Sequence, residues 1–160
     1  MKKKPETKTP QVPENEKVYE FYSGIYPRRV WVYFGNDAEF IAKTFNPHEE
    51  LTEKAQLDGM RNILEGDSFG ATVQVYEQST KFYGVLLVFP NIGEQTIVER
   101  LKSFAHESVH ACDMIFQELG IEKQDFDDGN EAYAYLLEWV FGNIYESYLI
   151  HKETYENNRK

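Results

Sequence analysis

A chain of 160 residues, 41% of them apolar and with 11 Tyr and 11 Phe, has enough to bury for one domain with a real core, and no apolar run approaches the length that spans a bilayer. A net charge of −10 argues against a nucleic-acid backbone or an anionic membrane as the main partner. The single cysteine, Cys112, excludes an intrachain disulfide framework, and the N-terminal lysines are followed by no apolar segment, so the expectation is a soluble, cytoplasmic protein.

Residues 1–17 are rich in Lys, Pro and Glu with almost nothing to bury, and read as a disordered arm. The alternative is a docking tail for a protein partner. A single domain is expected over 18–152, with a polar tail at 153–160. Tyr19 to Tyr26 reads as aromatic and irregular. Val30-Trp31-Val32-Tyr33-Phe34 is a strong strand signal, closed by Gly35-Asn36-Asp37. Asn36, with Glu39 three residues on, resembles a capping box for a short helix to about Phe45. A second helix is expected from Asn46 as N-cap, through Pro47, to about Glu65, with Leu51, Ala55, Ile63 and Leu64 near its buried side. His48, in its first turn, reads as surface decoration because nothing pairs with it at metal spacing.

A hairpin follows. Residues 71–77 alternate, so one face should be buried and the other wet. Residues 78–81 form the turn, and 82–89 are continuously apolar, as in a more central strand. A long helix is expected from about Gly93 to Leu119, ending at Gly120. The acidic stretch with Glu122, Asp125, Asp127 and Asp128 lacks the spacing of a calcium loop and reads as a solvated turn. The last helix is expected from about Asn130 to His151, burying Tyr133, Leu136, Leu137, Val140, Phe141, Ile144 and Tyr148.

The long helix carries His106-Glu107-Ser108-Val109-His110. Side chains four apart share a helix face, so His106 and His110 can bring two imidazoles to one metal ion while Glu107 projects beside it. A zinc hydrolase needs two such ligands, a third protein ligand, an open position for water, and a carboxylate to take that water's proton. With Ile97 at the origin, the apolar stripe is Ile97, Leu101, Phe104, Ala111, Cys112, Ile115 and Leu119. The two histidines fall nearly opposite, at about 180° and 220°. Cys112 on that stripe reads as packing. The competing explanation of the motif is a solvated helix face that happens to carry two His and a Glu.

The third ligand decides the matter. Position 116 is Phe, and His151, at the far end of the last helix, reads as an exposed terminal residue. Glu131, 21 residues after His110 and in the first turn of the last helix, is the best carboxylate. The helix dipole alone would also favour an acid there. Glu138 and Asp127 are the other candidates.

At these residues the chain resembles a family. His106-Glu107-Ser108-Val109-His110 followed by Gly129-Asn130-Glu131-Ala132 is similar to the gluzincin pattern of zinc metallopeptidases, and the size and element order resemble minigluzincin-type domains. The combination with Glu-Ala-Tyr-Ala-Tyr-Leu also resembles short, uncharacterised metallopeptidase-like proteins encoded by bacteriophages. The resemblance implies an α+β, zincin-like fold: a small, mostly antiparallel sheet packed on an active-site helix and a C-terminal glutamate helix. It implies Zn2+ held by His106, His110 and Glu131, with Glu107 as general base acting on a peptide or protein substrate. It also implies that an extended substrate adds to the edge of residues 82–89 or their hairpin partner. The chain departs from the family at Tyr135, where many members carry an Asp that orients a zinc-bound His, and no motif identifies the oxyanion donor. Tyr76, Tyr83, Tyr133 and Tyr135 are open candidates. The alternative of another class is a non-catalytic zincin-fold binding or structural module with a structural or degenerate metal site.

Overall fold

The computed structural model describes residues 17–47, 51–66, 68–122 and 130–157. In chain order the elements are β1 (Val18–Tyr22), β2 (Arg29–Tyr33), α1 (Ala38–Thr44), β3 (Phe45–Asn46), α2 (Glu53–Leu64), β4 (Ala71–Glu77), β5 (Tyr83–Val88), α3 (Ile97–Glu118) and α4 (Glu131–Asn157). The strands form one sheet in the order β1-β2-β5-β4-β3. Only β2–β5 is parallel among its neighbouring pairs, so the sheet is mixed and mostly antiparallel. The fold class is α+β.

The alternation of side chains along β2 and β5 divides the core in two. Val30, Val32, Val85 and Leu87 face α3 and α4, where they meet Phe104, Ala111, Ile115, Leu136, Val140 and Ile144. Trp31, Tyr33, Leu86 and Val88 face α1 and α2, where they meet Ile41, Phe45, Met60 and Leu64. Covered on both faces, β5 has no reason to alternate, which accounts for its continuous apolar run. β4 does alternate. Ala71, Val73 and Val75 belong to the α1/α2 side, whereas Thr72 and Gln74 hydrogen-bond to α3.

Several sequence expectations shift. Val18–Tyr22, expected to be irregular, is an edge strand whose residues pair antiparallel with Arg29–Tyr33. α1 is capped by Asp37, whose side chain accepts from the Phe40 amide, one residue later than the Asn36 expectation. Asn46 does not cap a helix. It sits in β3 opposite Tyr76 and donates to the Tyr76 hydroxyl at 2.8 Å. α2 starts instead at Thr52, which accepts from the Ala55 amide, and Leu51 outside it is 41% exposed. His48 lies outside the described residues. α4 continues through 153–157, where a polar tail was expected.

α3 begins four residues later than expected, behind a complete capping box. Thr96 accepts from the Glu99 amide, and Glu99 Oε2 accepts from the Thr96 amide at 2.7 Å and from its hydroxyl at 2.8 Å. Those bonds hold the Glu99 carboxyl below the usual carboxylate range. Ile97 and Leu101, placed on the apolar stripe, are largely exposed because they lie in the first turns beyond the sheet's cover. α4 runs antiparallel along α3. Tyr133 packs edge-on against Phe116 at one end, and Tyr148 meets Arg100 at the other. His151 is half-buried against the ring of Phe34 rather than exposed, and burial lowers its pKa. Among the described residues no helix is long and apolar enough to cross a membrane.

Candidate metal centre

The motif turn of α3 presents two different faces. His106 and His110 are exposed, with ring centroids 4.7 Å apart and Nε2 atoms 3.0 Å apart. With one ring protonated at Nε2 and the other not, that contact is a hydrogen bond. Two nitrogens bound to one zinc ion at about 2.0–2.1 Å each lie at most about 4 Å apart, so the pair fits as two ligands of one ion. Helical spacing alone brings them together, and the outward face of α3 keeps them open.

Glu107 points the other way, toward the sheet, and is only 5% exposed. Thr72 on β4 donates its hydroxyl to Glu107 Oε2 at 2.7 Å and lies 3.2 Å from the Glu107 main-chain oxygen. Gly70 passes so close that a Cβ there would stand 2.9 Å from Glu107 Cγ and 2.9 Å from Ser103 Oγ. The absence of a side chain at position 70 is therefore what lets the chain before β4 close against the motif turn. Beneath them, Ser108 is fully buried and its hydroxyl donates back to the Phe104 carbonyl at 2.6 Å.

A cleft of about 480 Å³ opens beside this turn, lined by Ser68, Phe69, Gly70, Glu99, Lys102, Ser103, His106 and Glu107. It thus has a histidine and the motif carboxylate in one wall and the approach to β4 in the other. Gln95, itself buried, holds that approach in place. Its Nε2 donates to the carbonyls of Phe69 and Pro90, both at 3.4 Å.

Glu131 is the residue that the structure does not bring to this turn. It is exposed, at the first position of α4. Tyr133, two residues on, packs against Phe116, six residues past His110, which is about 9 Å along a helix axis. Among the described residues no group of three or more His, Cys, Asp or Glu side chains is placed to hold a metal ion. The spacing of the two histidines therefore suits a metal as a pair, and among the described residues no third His, Cys, Asp or Glu is grouped with them. Asp127, another candidate, lies outside the described residues, as do Asp125 and Asp128.

What holds the start of α4 is Tyr133. Its hydroxyl donates to Asp113 Oδ1 at 2.5 Å and lies 3.3 Å from the Val109 carbonyl. Burial, and after it the bond to Asp113, push the phenol well above its ordinary range. The other tyrosines singled out from sequence are placed differently. Tyr76 and Tyr83 pack on one another at the far end of the β4–β5 hairpin, and Tyr135 is 66% exposed on α4. Sequence reading missed Thr72 and Gly70 altogether. The one available signal was polar alternation in β4, which marks a face but not what it meets.

Compared with protein-family models, curated proteins and solved structures, the chain matches none.

Proposed function

We propose that the chain is a zincin-like, zinc-dependent metallopeptidase in which His106 and His110 hold the ion and Glu107 is the general base. The observation that carries this reading is the 3.0 Å separation of the two Nε2 atoms on the exposed face of α3, with a buried carboxylate one residue away at a cleft. Zinc, when bound, supplies Lewis acidity and lowers the pKa of its water toward neutrality. The chain's own part is to hold the two imidazoles together on the open face of α3 and to offer the Glu107 carboxyl, in the wall of the cleft, as the proton acceptor.

The substrate is an extended peptide. β3 covers β4 only at Tyr76 and Glu77, so the stretch Ala71–Val75 has no strand on its outer side among the described residues. That edge begins directly after Gly70 in the cleft wall, and main-chain pairing along it would lay a peptide toward the motif turn. β5, the other strand considered from sequence, is interior and cannot serve.

Glu131 remains the third ligand that the resemblance implies, with Glu138 and Asp127 as rivals. Tyr133, through its bond to Asp113, sets the start of α4, from which Glu131 would have to reach the histidines. The absence, among the described residues, of a third acidic, His or Cys side chain grouped with the pair favours a second reading: a non-catalytic module of the same shape, with a metal that is structural or lost.

Glu107→Gln separates the two. In the metallopeptidase it binds zinc like the parent and loses cleavage of labelled casein, whereas in a non-catalytic module parent and variant are alike in both respects.

A further inference from the structure

We propose that Thr72 is a positioning residue for Glu107, and that its hydroxyl selects which carboxylate oxygen does proton transfer. The inference rests on the hydrolase reading above and adds a residue that neither the motif nor the resemblance names.

Thr72 is held by the sheet and not by the site. Its position is fixed by antiparallel pairing with Leu87, near the end of the interior strand β5, and the strand alternation turns it toward α3 while Val73 turns to the opposite core. Its Oγ1 has one proton and two oxygens within reach, Glu107 Oε2 at 2.7 Å and the Glu107 main-chain oxygen at 3.2 Å. The nearer, side-chain oxygen takes the proton, as the shorter of the two contacts.

Glu107 is then gripped at two points. Its Cγ lies in the space that a side chain at position 70 would fill, and its Oε2 is held by Thr72. Oε1 has no donor among the described residues and is not sealed from solvent, so it is the oxygen left to accept a proton from water in the cleft. Thr72 thereby removes a rotational degree of freedom from the base. It does so from the strand that the substrate would pair with, so the base and the peptide-binding edge share one rigid element.

Thr72→Val keeps the branched shape that suits a strand and removes only the donor. In zinc-loaded protein with labelled casein, Thr72→Val should lower kcat by about 10-fold or more, leave KM and zinc affinity unchanged, and Thr72→Ser should restore it. A second readout needs no activity. In urea unfolding, Thr72→Val should lower the midpoint of the parent by more than it does in a Glu107→Ala background, where only the longer contact with the main-chain oxygen remains. A Thr72→Val chain with parental kcat, a loss that Ser does not restore, or equal midpoint shifts in both backgrounds overturns the proposal. If parent and Glu107→Gln are equally inert with zinc, the hydrolase reading fails and Thr72's catalytic role falls with it. The unfolding cycle then decides alone whether Thr72 holds Glu107.

Discussion

Two neighbours on one helical turn are treated very differently by the fold. Glu107 is enclosed: a strand hydroxyl holds one oxygen, a glycine makes room for its stem, and only 5% of it is exposed. His106 and His110 stand in the open and have each other as their hydrogen-bonding partners. On the proposed function, the general base is held by the protein before anything binds, whereas the histidine pair stands open to a metal ion. Substitutions on either face should therefore have separable effects.

The largest effect should come from Gly70→Ala. A Cβ at 2.9 Å from two side-chain atoms and 3.0 Å from Phe89 cannot be accommodated without movement, so a loss of about 1–3 kcal/mol is expected from urea unfolding. Glu107 should be displaced with it, and casein cleavage should fall even where the protein is still folded. The same substitution should leave the histidine face, and hence zinc binding, close to parental. If zinc binding falls as steeply as stability, the two faces are not independent.

Tyr133→Phe probes the other side. It removes the donor from Asp113, a half-buried carboxylate one turn beyond His110, and should cost about 1–2 kcal/mol in thermal or urea unfolding. If the start of α4 supplies the third ligand, zinc affinity should fall as well. If zinc affinity does not change, α4's first turn is not part of the centre. The bond also has an alkaline signature. Because the folded phenol titrates above its unfolded value, its contribution is complete below pH 10 and is lost as pH rises through the raised value.

How legible these features were follows their range. The motif pair and the hydrophobic face of α4 rest on residues three or four apart, and local spacing carries them, whereas the start of α3 at the Thr96 cap was missed by four residues. Asn46 shows where local reasoning stops. Its side chain and the Pro after it make a good helix start, but pairing across to Tyr76 claims it for β3, and Thr52 takes the cap. Val18–Tyr22 had no clear pattern because it is an edge strand with one partner. The contacts that organise the candidate site, Thr72 with Glu107 and Gly70 with Ser103, join residues more than thirty apart. No period in the sequence announces them. Glu131 is the opposite case: its spacing made it attractive, but among the described residues it is not grouped with the histidines.

A smaller effect separates the core behind the site from the site itself. His151 is half-buried against Phe34, and burial lowers its pKa below the unfolded value near 6.5. The unfolded chain therefore takes a proton first, so stability should fall as pH drops below about 6.5 and level off beneath the lowered folded value. His151→Leu should flatten that part of the stability profile without altering zinc binding. Thr96→Ala is the mildest. Loss of the α3 cap should cost about 1 kcal/mol and touch neither face of the motif turn.

The central claim is that His106 and His110 are metal ligands, and zinc titration against a competing chromogenic chelator tests it most directly. About one zinc per chain in the parent, lost in both His106→Ala and His110→Ala with folding intact, is the predicted result. Adding Glu131→Ala and Glu138→Ala to the same titration identifies the third donor. A parent that takes up no zinc under these conditions, or binds it equally after either histidine is removed, would contradict the account.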